Sequence, residues 1–261
     1  MLRKKAFCLL MTVSAFFGLM ACHAQRSAES AAHEQQDSSA SLGTSIHLKR
    51  ISEFNEPWAL AVLPDGRLLI TERSGQLILF NPIDQTKTLI RNIPKVAYGG
   101  QGGLGDIVLH PDFAQNHQIY LSYAEAGQGG YGAVVIRADL NLDQAQPQLD
   151  NLKMIWKQAP KVRGQGHYAH RMLFDGAGKL WISSGERQKF DPAQDLTSNL
   201  GKMIRLNDDG SVALDNPFQT QGDIAKQIWS LGHRNPLGMA LDAKNNFGWL
   251  KWAPKVGMSL I

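Results

Sequence analysis

Residues 58–71 read WALAVLPDGRLLIT: an apolar run from Trp58 to Leu63, a break at Pro64, Asp65 and Gly66, and a second apolar run from Leu68 to Thr71. Two β-rich runs around an Asp-Gly break spell a hairpin. The pattern returns along the chain. Residues 106–112 lead into 119–123, residues 172–176 lead into 180–183, and a fourth copy begins at 238–242. The aspartates of the copies, Asp65, Asp112, Asp175 and Asp242, are spaced by 47, 63 and 67 residues. That is a propeller-blade period stretched by loops. Each copy reads as the inner half of a four-stranded blade, with residues 76–80, 133–139 and 202–206 as outer members. No long segment has clean helical periodicity. An all-β propeller is expected, with a two-sheet sandwich built from the same short strands as the alternative.

The 261-residue chain is 43% hydrophobic, enough to bury a real core. Its 27 basic residues are scattered among 23 acidic ones for a net charge of +4, which argues against a nucleic-acid partner. Toward the N-terminus, Arg3, Lys4 and Lys5 precede an apolar run from Ala6 to Ala21. Residues 1–24 are therefore expected to be a signal peptide, too short for a comfortable membrane span. Two processing routes fit: cleavage after Ala24, or lipid attachment at Cys22 behind Leu19, Met20 and Ala21. Both imply a periplasmic or exported protein. Residues 25–43 have almost no large apolar side chains and are expected to form a disordered linker, which leaves 44–261 as the folded domain. Cys8 and Cys22 are the only cysteines, so the mature domain has neither disulfide nor thiolate metal site.

Polar clusters sit in Gly-rich loops between the expected strands, where an all-β scaffold presents its working groups. Residues 98–104, YGGQGGL, combine glycines that permit close backbone approach with Gln101, a donor and an acceptor. No Lys-Ser/Thr follows, so this is not a phosphate loop; taken alone, it also fits a flexible turn. Residues 164–171, GQGHYAHR, place His167 and His170 beside a cation just before an inner strand. A loop histidine can act as a base near neutral pH, the pair could bind a metal, and either could be a surface histidine without a role. Residues 230–238, SLGHRNPLG, bring the planar cation of Arg234 and the amide of Asn235; an Asn-Pro turn explains Asn235 but not its neighbour. Residues 184–187, SGER, with 193–195, AQD, fit blade-to-blade polar pairing as well as a site.

Taken in order, these motifs resemble the glucose/sorbosone dehydrogenase family, and within it the PQQ-dependent soluble aldose and glucose dehydrogenases. The markers run from about Ile51 to Asp242: Pro57-Trp58 with the 64–66 turn, the Gln101 loop, the His167 loop, Gly185-Glu186, residues 193–195, Asn216-Pro217-Phe218 and residues 232–236. The resemblance implies a six-bladed β-propeller, about four blades of it represented here, with PQQ and calcium (Ca2+) in a cleft on its top face. It implies oxidation of the anomeric carbon of an aldose sugar to a lactone, with an external electron acceptor. Carried over residue by residue, His167 matches the general base. Gln101, Arg234 and Asn235 match groups that hold PQQ, with Arg234 also placed to stabilise charge on the reduced quinone. No metal ligand is assigned. Two departures stand out: Gly166, where the family often has Asn or Asp, and His170, where it tends to have Gly.

After Asp242 the resemblance implies a Trp-containing strand and a Glu-x-Gly-Pro-x-Gly-Gly-Asp-Glu segment whose carbonyls help bind calcium. Residues 247–259 read FGWLKWAPKVGMS. One choice of codons for residues 250–259, translated from its third base, gives that missing segment. A frameshift near residues 245–247 is the expectation, making 246–261 a shifted tail of an incomplete propeller with impaired activity; resequencing across the codons for 241–261 tests it. A propeller that binds carbohydrate or protein without redox chemistry is the alternative function. A metal-dependent propeller hydrolase is disfavoured, because no ring of Glu, Asn and Asp ligands is evident.

Overall fold

The computed structural model describes residues 48–244, 247–253 and 257–260. The expected leader at 1–24 and linker at 25–43 lie outside the described residues, as does part of the tail at 246–261. All strands belong to the unit Lys49–Ile261. The first sheet is a meander of β1 (Pro57–Val62), β2 (Leu68–Glu72), β3 (Gln76–Phe80) and β4 (Lys87–Leu89). The second runs β5 (Leu104–Leu109), β6 (Gln118–Gly127), β7 (Gly130–Asn141) and β8 (Gln148–Lys157). The third runs β9 (Ala169–Phe174), β10 (Leu180–Ser184), β11 (Lys202–Leu206) and β12 (Ile228–Leu231). A three-stranded sheet of β13 (Pro236–Leu241), β14 (Phe247–Ala253) and β15 (Gly257–Leu260) follows. Pairing is antiparallel throughout, and β1 packs on β5, β5 on β9 and β9 on β13. These are successive blades of a β-propeller, not a sandwich, with the repeated hairpins as their inner strands.

Two of the repeated aspartates close their inner hairpins through the side chain. Asp65 accepts the Arg67 N–H at 3.0 Å, and Asp175 Oδ1 accepts the N–H groups of Ala177 and Lys179, both at 2.9 Å. An Asx turn of this kind holds the bend without help from either strand.

The second sheet explains why its strands read as continuous apolar runs. On β6, Ile119, Leu121 and Tyr123 face the first sheet's core, while Tyr120 and Ala124 face the third. On β7, Val134, Ile136 and Ala138 alternate with Ala133 and Val135 in the same way. A strand buried on both faces needs apolar residues at every position. Full burial of each of the larger side chains, Val, Ile and Leu, contributes about 1.5–3 kcal/mol, so the blade-to-blade faces add strongly to cohesion. The third and fourth sheets meet through aromatics: Trp181 stacks on Phe247 with ring centroids 4.1 Å apart, and Trp229 of the third sheet meets Trp181 edge-on at 5.3 Å.

Candidate active site

The inner strands are irregular at one shared end. Register breaks between Pro57 and Ala59 on β1, between Leu104 and Ile107 on β5, opposite Ile182–Ser184 on β9, and between Pro236 and Gly238 on β13. A bulge bends its strand and re-aims the residues before it. The loops entering β5, β9 and β13 carry Gln101, His167 and Arg234 with Asn235, and the structure brings all four residues together.

Gln101 and the His167 loop clasp each other. The Gln101 N–H donates to the Gln165 carbonyl at 2.7 Å, and the His167 N–H donates to Gln101 Oε1 at 2.7 Å. The glycines make this approach possible: a Cβ on Gly100 would sit 2.6 Å from the Gln165 carbonyl oxygen. A similar closeness occurs at Gly166, there against a movable side chain. A Cβ there would lie 2.6 Å from the Gln188 side chain, so the carboxamide of Gln188 takes the space a larger residue would need.

His167 is buried at 4% exposure, and its Nδ1 bonds to Glu186 Oε1. The second Glu186 oxygen accepts the Phe190 N–H at 2.6 Å. Burial on its own raises this carboxyl, but the Phe190 and Lys189 N–H groups and His167 together hold it below its ordinary value. An ionised carboxylate on Nδ1–H leaves the basic lone pair on Nε2. That is the arrangement of a general base with its orienting acid.

The third side closes through backbone. The Glu186 N–H donates to the Arg234 carbonyl at 2.8 Å, and the Gly185 N–H donates to the Tyr168 carbonyl at 3.1 Å. Asn235 is buried, and a Cβ on Gly185 would lie 3.0 Å from its Oδ1. The Arg234 guanidinium lies over the Phe190 ring, 4.9 Å from its centroid.

His170 belongs elsewhere. Its ring lies over Gly105, where a Cβ would come within 1.9 Å of it, and stacks on Trp58 at 6.2 Å. The Ser122 hydroxyl accepts the Asp106 N–H at 2.8 Å and lies 2.7 Å from His170 Nδ1. Burial, with the charge of Arg171 beside it, lowers this imidazole to about 3, so it is neutral. The two histidines do not pair on a metal, and among the described residues no group of three His, Cys, Asp or Glu side chains forms a metal cage.

The residue to which sequence reasoning gave no role is Glu186. The 184–187 cluster that holds it fits polar pairing between blades as well as a site, and nothing local tied it to His167. The link is register: Ser184 pairs with Ala169 across the β9–β10 ladder, which sets the residues just beyond Ser184 beside those just before Ala169.

A family model for glucose / sorbosone dehydrogenases matches residues 54–251. The chain belongs to this family. Among curated relatives, the aldose sugar dehydrogenase YliI of Escherichia coli K12 is 39% identical over 199 residues, covering 76% of this chain and 53% of that protein. The solved apo form of the soluble aldose sugar dehydrogenase from Escherichia coli superposes with a TM-score of 0.75 at 38% identity, covering 79% of this chain and 60% of that one. The PQQ-bound aldose sugar dehydrogenase of Streptomyces coelicolor superposes with a TM-score of 0.73 at 28% identity, covering 82% and 61%. The chain thus spans about half the length of the curated glucose/sorbosone dehydrogenase relatives it matches.

Proposed function

We propose that this domain oxidises aldose sugars at the anomeric carbon to lactones with PQQ as hydride acceptor, and that it works after export. The observation that carries the reading is the buried His167–Glu186 pair set where the Gln101 and Arg234-Asn235 loops converge. The polar groups there suit PQQ. Asn235 Oδ1 is buried without a hydrogen-bond partner, and an acceptor in that state calls for a donor such as the pyrrole N–H of PQQ. Gln101 spends its oxygen on His167, which leaves its amide N–H groups for a carboxylate. Arg234 adds a permanent cation suited to a carboxylate or an electron-rich quinone oxygen.

PQQ, when bound, would supply the two-electron acceptor that no side chain can provide. His167 is placed to take the proton of the anomeric hydroxyl on Nε2; loss of that proton and of the C1 hydride would turn the already cyclic hemiacetal into the lactone. Glu186 keeps the ring in one tautomer and stabilises the imidazolium that forms. No calcium ligand is assigned: among the described residues no three His, Cys, Asp or Glu side chains cluster, and carbonyl oxygens can serve calcium as well. An external electron acceptor would be needed to return bound PQQ to its oxidised form. The basic start and apolar run at 3–21 support export, with Cys22 as a possible lipid site.

The test is dye reduction by the full chain with PQQ, calcium and a panel of aldoses. Turnover is expected, and His167→Gln is expected to lower it on the order of 10²–10⁴-fold. Sugar binding without any PQQ-dependent turnover overturns the reading and leaves a binding module.

A further inference from the structure

Beside the acid–base pair sits a cation that the proposed chemistry does not use. Arg187 is 1% exposed, among the largest side chains the fold buries completely. Its Nε donates to the Gly166 carbonyl at 2.8 Å, Nη2 to the Gly164 carbonyl at 2.6 Å, and Nη1 to the Tyr131 carbonyl at 2.6 Å. Its plane covers the Tyr168 ring, 3.6 Å from the centroid. Three carbonyls and an aromatic face form a socket shaped for a guanidinium fork, not for a point charge.

We propose that Arg187 is the positioning residue for His167. Burying a guanidinium costs several kcal/mol, and an apolar side chain of similar volume would serve stability as well. What an apolar side chain cannot do is hold two carbonyls of the loop that precedes His167. That loop needs holding: His167, Ala169 and His170 have φ of 49°, 56° and 49°, a left-handed region that costs non-glycine residues roughly 1–2 kcal/mol each. Arg187 fixes the backbone, while the adjacent Glu186 fixes the ring. One dipeptide therefore sets both the place and the tautomer of the imidazole. The inference rests on His167 being the working base.

The experiment reads His167 directly. In full-length protein labelled with ¹⁵N-histidine, long-range proton–nitrogen spectra report each ring's tautomer, and His167→Gln assigns the signal. The wild type is expected to show one Nδ1–H tautomer. Arg187→Lys, which keeps the charge and loses the fork, is expected to average the two tautomers and to raise the PQQ Kd, read by tryptophan quenching, about tenfold, or about 1.4 kcal/mol. Arg187→Ala is expected to regain the single tautomer on addition of guanidinium but not of methylammonium. An unchanged His167 signal in Arg187→Lys overturns the proposal. So does an Arg187→Ala protein indifferent to guanidinium, or loss of the near-ultraviolet circular dichroism signal in both variants. If the wild type binds no PQQ while Arg187→Lys still disturbs the tautomer, the PQQ reading fails and the positioning role stands.

Discussion

The loops that carry Gln101 and His167 meet at one site and are built on opposite plans. The Gln101 loop takes its positive φ values on glycine: Gly99 at 153°, Gly100 at 56° and Gly103 at 147°. It lies near the surface, where Arg73 donates to the Gly100 carbonyl at 2.5 Å and to that of Gly102 at 3.3 Å, and pairs with Glu56 at 3.0 Å. The His167 loop starts at an exposed Gly164 with φ of 98° but is buried from Gly166 to His170, where it puts side chains into the left-handed region and is held by a buried arginine. Glycine makes a tight loop inexpensive by removing the clash. A tertiary clamp makes it possible to keep a working side chain where glycine would otherwise be needed.

The largest expected effect breaks the glycine plan. A Cβ on Gly103 would lie 2.1 Å from the Arg73 carbonyl oxygen, and neither backbone segment can step aside, because the Leu104 N–H donates to that same oxygen at 3.0 Å. Gly103→Ala should destabilise the domain by roughly 3 kcal/mol, overpacking and φ strain together. Urea unfolding followed by tryptophan fluorescence measures it. A loss under 1 kcal/mol would mean that the Gln101 loop adapts and its glycines are not what builds it.

The second contrast is in pH. His170, in the clamped segment, has a folded-state value of about 3 against an ordinary 6.5. Between these the unfolded chain binds a proton that the folded one refuses, so stability falls as pH drops through that window, by up to about 1.4 kcal/mol per unit. Asp106 faces the same space with its carboxyl raised by burial and acts with the opposite sign, since a folded state that keeps its proton loses stability as pH rises. Arg171 lies 3.5 Å from Asp106. The His170 contribution is isolated by comparing urea midpoints of wild type and His170→Gln from pH 6.5 to 4.5. The variant should show the flatter profile; parallel profiles would show that acid acts elsewhere.

The third contrast is between the two arginines. Arg73 is a fifth exposed at its side chain and works against solvent, so Arg73→Lys should cost only about 1 kcal/mol, the scale of an ordinary hydrogen bond. A cost above 2 kcal/mol would make the two clamps equivalent.

How much of this was legible in the sequence follows the same division. The hairpins were legible because an Asp-Gly break between apolar runs is local chemistry, and β3 and β11 fall on residues 76–80 and 202–206 as expected. The Gln101 loop was legible too, since its glycines announce close approach. The His167 loop was only half so: the histidine stood out, but its left-handed backbone, Glu186 and Arg187 did not, because each depends on which strands pair and in what register. His170 looked like a partner of His167, three residues away, yet a β-bulge between Ala169 and Met172 breaks the alternation, and His170 packs over Gly105 and Trp58 while His167 meets Glu186. Period-2 reasoning cannot see a bulge.

The smallest expected effect separates the plans most cleanly. Ala169 sits at φ 56° with its methyl buried at 2% exposure. Replacing it with glycine removes roughly 1–2 kcal/mol of left-handed strain. The same change gives up about 0.8 kcal/mol of buried methyl and adds about 0.4–1 kcal/mol of unfolded-chain entropy. These nearly cancel, so Ala169→Gly should change the unfolding free energy measured in urea by no more than about 0.5 kcal/mol, beside the roughly 3 kcal/mol of Gly103→Ala. A gain above 1 kcal/mol would show that strain is stored at Ala169 uncompensated, and the loop would then be poised by tension. A loss above 1.5 kcal/mol would show that the methyl itself wedges the bulge open. Near-neutrality is what a loop held from outside, by Arg187 and Glu186, should give, since the clamp and not the local φ preference then sets where His167 sits.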